Sequence, residues 1–116
     1  MPPADDVNRI GHILESARKA VRFAYRRNTA DAEADEVLFL ALVRLLEVIG
    51  EAAEGISGEF QSRHPDIPWR QMAGMSTRLN RGDFEVESRL VWETVTAELP
   101  PLIKHLQRVL DKESRH

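Results

Sequence analysis

Four histidines, one pair of carboxylates and a short segment rich in hydroxyls and guanidinium groups are the side chains of this 116-residue chain that could do chemistry. The histidines are His12, His64, His105 and His116. An imidazole titrates near neutrality, so it can serve as acid, base or metal ligand. Two metal-binding histidines on one helix need i, i+4 spacing, and no two of these have it. No carboxylate pattern frames them either. The expectation is therefore structural roles for all four, with no metal and no cofactor. Glu47 and Glu51 lie one helical turn apart, a spacing that suits acid–base work or a cation. Arg44 stands close enough in sequence to neutralise them instead. Residues 76–83 read Ser-Thr-Arg-Leu-Asn-Arg-Gly-Asp. Arg78 and Arg81 can grip phosphate in bidentate fashion, or simply lie solvated and ion-paired. Ser76 and Thr77 can equally be a helix-surface pair with no role. Trp69 and Trp92 read as core anchors.

Such groups need rigid elements to hold them, and the composition says which kind. The chain is 42% apolar and 30% charged, which fits a folded domain and argues against disorder. Its length suits one domain, residues 1–116. The net charge of −3 excludes the strongly basic footprint of a general nucleic-acid binder. No cysteine is present, so disulfides and thiol chemistry are excluded. The opening Met-Pro-Pro-Ala-Asp-Asp has no basic and apolar leader pattern, and the longest apolar run, Val37 to Val43, is too short for a bilayer. No membrane role and a cytoplasmic location are the expectation.

The apolar periodicity is helical throughout. Val7, Ile10, Leu14, Ala17, Val21 and Ala24 draw a stripe over residues 5–27, with Asp5 or Asp6 as cap. Arg26 to Asp35 reads as a loop and the entry to the second helix. Leu38, Leu42, Leu45, Ile49, Ala52 and Ile56 mark a second helix from about Asp35 to Ile56. Val37, Leu40, Val43, Leu46 and Val48 make that helix apolar nearly all round, so it is central or meets a partner as well as its own core. Glu59 to His64 suggests one short turn. Pro68 opens a third helix that stops near Gly82. A fourth spans roughly Ser88 to Glu98. Pro100 and Pro101 open a fifth, and a polar tail from Asp111 is expected to fray. Short connections imply antiparallel neighbours. The expected fold is all-α, an up-and-down bundle of four to five helices.

Several segments then carry a resemblance. Residues 43–53 (Val-Arg-Leu-Leu-Glu-Val-Ile-Gly-Glu-Ala-Ala), residues 67–75 (Ile-Pro-Trp-Arg-Gln-Met-Ala-Gly-Met), Phe84-Glu85-Val86, residues 91–95 (Val-Trp-Glu-Thr-Val) and residues 98–102 (Glu-Leu-Pro-Pro-Leu) resemble, in order and spacing, the HepT-like proteins with HEPN domains. The resemblance covers nearly the whole chain. It implies a metal-independent endoribonuclease toxin of a toxin–antitoxin system. It further implies a homodimer whose arginines and histidines line a shared cleft, and a cognate antitoxin with a minimal nucleotidyltransferase fold. In some such systems that partner adenylylates a tyrosine of the motif. On this pattern Arg44, Glu47 and Glu51 of the second helix become candidates to flank the cleft.

The motif itself is altered here. Where relatives usually have Arg, this chain has Ser76; Thr77 takes the Asn or Asp position, Arg81 the His position and Asp83 the Tyr position. Cleavage through a 2′-hydroxyl needs a group that takes and returns a proton near neutrality. Arg81 stays protonated, so it can bind phosphate but cannot act as that base. Ser76 lacks the charge to steady a developing phosphorane. Asp83 offers no phenol to modify and adds negative charge. The expected function is a HepT-like toxin by descent with weakened or lost ribonuclease activity. The alternative is a non-catalytic helical dimer that binds a nucleotidyltransferase partner, RNA or a nucleotide.

Overall fold

The computed structural model describes residues 4–76 and 84–114, which are helices joined by short turns with no strand among them. Helix α1 (Ala4–Ala24) runs up the bundle and buries Ile10, Ile13, Leu14, Ala17 and Ala20. It stops where Arg26 takes a left-handed backbone (φ 63°) and the Arg27 N–H turns back to the Ala24 carbonyl at 3.0 Å. Helix α3 (Glu36–Glu54) runs down beside it and buries Leu42, Leu46 and Ile49 on the facing side. Each such aliphatic side chain contributes about 1.5–3 kcal/mol when withdrawn from water. The short α4 (Gly58–Arg63) crosses the bottom, and α5 (Trp69–Ala73), extended by a 3-10 turn over Gly74–Ser76, lies against α3.

The last pass is one continuous helical run from Phe84 to Ser114, made of α6 (Phe84–Glu93), a π-helical stretch (Thr94–Glu98) and α7 (Leu99–Ser114). At 1.5 Å per residue it measures about 46 Å, commensurate with the long molecular axis of 46 Å. Three points fix its direction. Pro100 lines one concavity with Ala24 at the top of α1, Arg18 donates to the Gln107 side chain midway, and Glu113 meets His64 at the bottom. The helices therefore alternate up and down, the antiparallel bundle that the periodicity calls for.

Four local expectations change. Residues expected as a loop before Asp35 contain helix α2 (Thr29–Ala34). Its cause is a reciprocal cap: the Asp31 N–H donates to the Asn28 side chain (3.0 Å), and the Asn28 N–H donates to the Asp31 carboxylate (2.8 Å). Pro100 and Pro101 do not begin a separate helix. In the widened π turn the Leu99 N–H reaches back to the Thr94 carbonyl, five residues away, so the prolines enter a helix whose ladder has already shifted. The polar end is helical as far as Ser114, with Glu113 buried against His64, and Arg115 and His116 lie outside the described residues. Asp6 does not cap its own helix. Its carboxylate accepts the Ser57 N–H (2.9 Å) and hydroxyl (2.6 Å), tying the start of α1 to the start of α4.

Candidate functional site

The altered motif begins where the 3-10 turn ends. Local sequence makes that turn a firm mount. Trp69 is buried and its indole N–H donates to the His64 carbonyl (2.9 Å), while Met72 and Met75 sink into the core one turn apart. Ser76 closes the 3-10 turn. Thr77, Arg78, Arg81 and Asp83 lie outside the described residues, so their mutual geometry is not part of the picture.

The second-helix candidates share one face. Val37, Leu40, Arg44, Glu47 and Glu51 recur at spacings of three and four, which puts them in a single row along α3 opposite its buried side. Val37 is 78% exposed and Leu40 56% exposed at the upper end of that row. Lower down, Arg44 Nη1 stands 3.7 Å from Glu51 Oε1 with both side chains solvated. The arginine thus meets a carboxylate, the alternative that the spacing left open against acid–base work. An exposed pair of this kind is worth about 0–1 kcal/mol. Among the described residues no three His, Asp or Glu side chains gather to hold a metal ion.

A groove of about 400 Å³ runs between α5 and the π stretch and α7. Its apolar lining includes Pro68, Met72, Met75, Pro101 and Leu102, and it begins at Met75, one residue before the altered motif. Gln71 Nε2 donates across it to Glu98 Oε1 at 2.7 Å. At Asp66 and His105 the groove meets a second concavity of about 230 Å³ that is lined by Arg63, Arg108 and Lys112. Beneath that second concavity His64 Nε2 lies 2.7 Å from Glu113 Oε1, both buried, and Arg63 Nη1 is 3.6 Å from the same oxygen. The Phe60 ring flanks His64 at 4.9 Å between centroids. His64 is thus a structural histidine holding α7 to the end of α4. His12 and His105 are exposed, and His116 lies outside the described residues.

Sequence reasoning missed this basic concavity. Part of its signal was present: His105, Arg108 and Lys112 fall at i, i+3 and i+7 on α7. The rest was not, because Arg63 joins them only through folding.

Comparison with known proteins gives the family. The family described as "Ribonuclease HepT-like" matches residues 13–109. A candidate RNase of Caldanaerobacter subterraneus is 37% identical over 102 residues, covering 88% of this chain and 91% of the relative. A probable ribonuclease HepT of Thermococcus cleftensis is 43% identical over 68 residues, 59% of this chain and 62% of the relative. A candidate RNase of Methanocaldococcus jannaschii is 30% identical over 97 residues, 84% and 89% of the two chains. No solved structure matches. With the profile spanning most of the bundle, from α1 to the last turns of α7, the chain belongs to the HepT-like ribonuclease family.

Proposed function

We propose that this chain is the toxin-lineage component of a toxin–antitoxin pair, an RNA-binding protein whose ribonuclease chemistry is weakened or lost. The observation that carries the reading is Arg81, which stands where the family resemblance calls for histidine. A guanidinium holds its proton at every accessible pH, so the residue can attract a phosphate and cannot relay a proton. Ser76 and Thr77 remove the neighbouring charge and amide or carboxylate together, and Asp83 removes the phenol that a nucleotidyltransferase partner would modify. RNA contact then falls to Arg78 and Arg81 within the segment, and control by the partner falls to binding rather than to adenylylation.

The test is a ribonuclease assay on the purified protein beside the variant Ser76→Arg, Thr77→Asn, Arg81→His. Restoring the titrating group is expected to raise cleavage by roughly 10²–10⁴-fold, the usual worth of a positioned acid–base group. Robust metal-independent cleavage by the unaltered chain overturns the reading.

A second reading, a homodimer that serves as a binding module, is favoured by the uncovered row on α3. Val37 and Leu40 expose apolar surface there, and Phe23 and Tyr25 expose more at the neighbouring end of α1. A second copy of the same face would cover it. The two readings are compatible: the first describes the chemistry that has been altered, and the second the assembly that presents it.

A further inference from the structure

We propose that the groove between α5 and α7 is a track for single-stranded RNA, with phosphates held by Arg108, Lys112 and Arg63 and bases laid against its apolar wall. The proposal rests on the RNA-binding reading above and extends it to residues that no motif marks.

Charge is the first argument. The chain as a whole is acidic, at −3, so a polyanion gains nothing from the average surface and binds only where cations gather. Elsewhere two arginines are already answered, Arg27 by Asp35 at 2.9 Å and Arg44 by Glu51 at 3.7 Å. Arg108 and Lys112 are exposed, and among the described residues neither makes an ion pair. Arg63 is 3.6 Å from the buried Glu113, so part of its charge is spent inward. Asp66 is the acid on the same rim. Two exposed cations and one partly engaged one therefore face Asp66 across a concavity of about 230 Å³, and the other carboxylate lining the furrow, Glu98, accepts the Gln71 amide at 2.7 Å.

Shape is the second argument. The basic concavity and the apolar groove share Asp66 and His105, so they form one furrow. It begins at Met75 beside the altered segment and reaches Lys112. From Ala97 to Lys112 along the helix is about 22 Å at 1.5 Å per residue, room for several nucleotides. Pro68, Ala97 and Pro101, all exposed, offer flat or soft apolar contacts on the way. A basic groove that tracks the backbone is one half of how single strands are held without sequence preference; here exposed prolines stand where aromatic platforms usually do.

The measurement is fluorescence anisotropy of a short uridine-rich RNA at several salt concentrations between about 50 and 200 mM. Three proteins are compared: the unaltered chain, Arg108→Gln with Lys112→Gln, and Lys104→Ala. Lys104 is exposed on the same helix but does not line the furrow. The double variant is expected to bind roughly tenfold more weakly and to flatten the slope of log K against log salt by about 1.4, or 0.7 per lost phosphate contact. Lys104→Ala is expected to match the unaltered chain. Unchanged far-ultraviolet circular dichroism separates loss of contact from loss of fold. Equal weakening by Lys104→Ala, or none by the double variant, overturns the track while RNA binding itself stands. A glutamate-rich peptide that binds as tightly as the RNA overturns it in favour of an acidic protein partner. If the unaltered chain binds no RNA at all, the track is overturned, and cleavage by the restored variant Ser76→Arg, Thr77→Asn, Arg81→His decides separately whether the ribonuclease lineage reading survives.

Discussion

Asp35 shows how much one side chain can organise. Its Oδ1 accepts the Leu38 N–H at 3.0 Å, which caps α3, and its Oδ2 accepts the Arg27 guanidinium at 2.9 Å, which ties that cap to the end of α1. Both partners favour the ionised form. The Leu38 amide first, and then Arg27, hold its pKa below the ordinary 3.8. A carboxyl whose folded value is lowered contributes stability above its unfolded value, and that contribution is lost as pH falls through the folded one. Asparagine keeps the cap but not the charge. Asp35→Asn is therefore expected to melt below the unaltered chain at neutral pH and to converge with it below pH 3.8. A melting deficit that persists undiminished in acid would refute the charge argument. At the same scale, Arg81 was the most legible residue of the candidate site, because its inability to titrate follows from its type alone.

Between residues and fold, the π stretch is the element with the least regular backbone. Two threonines serve it: Thr94 Oγ1 donates to the Leu90 carbonyl at 2.8 Å and Thr96 Oγ1 to the Trp92 carbonyl at 2.7 Å. Thr94 is buried and Thr96 exposed. Water can replace the second bond but not the first. Thr94→Val is thus expected to cost about 1 kcal/mol in denaturant unfolding and Thr96→Val markedly less. Equal costs would mean that these hydroxyls do not support the turn. The elements that the sequence revealed are those with strong three-four stripes, α1 and α3. Helix α2 (Thr-Ala-Asp-Ala-Glu-Ala) has no stripe, and only its Asn28–Asp31 cap could have announced it. The run through Pro100 and Pro101 was hidden because proline signals a helix start equally well, and a π turn has no periodicity to read. The basic concavity needed Arg63 and α7 brought together by folding, so the sequence displayed only half of it.

For the molecule as a whole, the row of Val37, Leu40, Arg44, Glu47 and Glu51 is the side of α3 that the bundle leaves uncovered. A surface substitution there changes the fold's own stability by less than about 0.5 kcal/mol, whereas a charge placed in an apolar contact between copies disrupts pairing. Leu40→Glu is accordingly expected to sediment as a single chain at micromolar concentration, with an unaltered melting curve, while the parent sediments as a pair. A parent that sediments as a single chain removes the basis for a shared cleft. The bond from Glu113 back to His64 also has a temporal side. A ribosome delivers α1 early and α7 much later, yet α7 packs on α1 and locks onto the end of α4 through that bond. Throughout the interval part of the greasy flank of α1 stays wet, and a nascent polypeptide stalled after α6 is sticky rather than half-finished. The hazard of making this protein is therefore concentrated in the stretch of message that encodes α7.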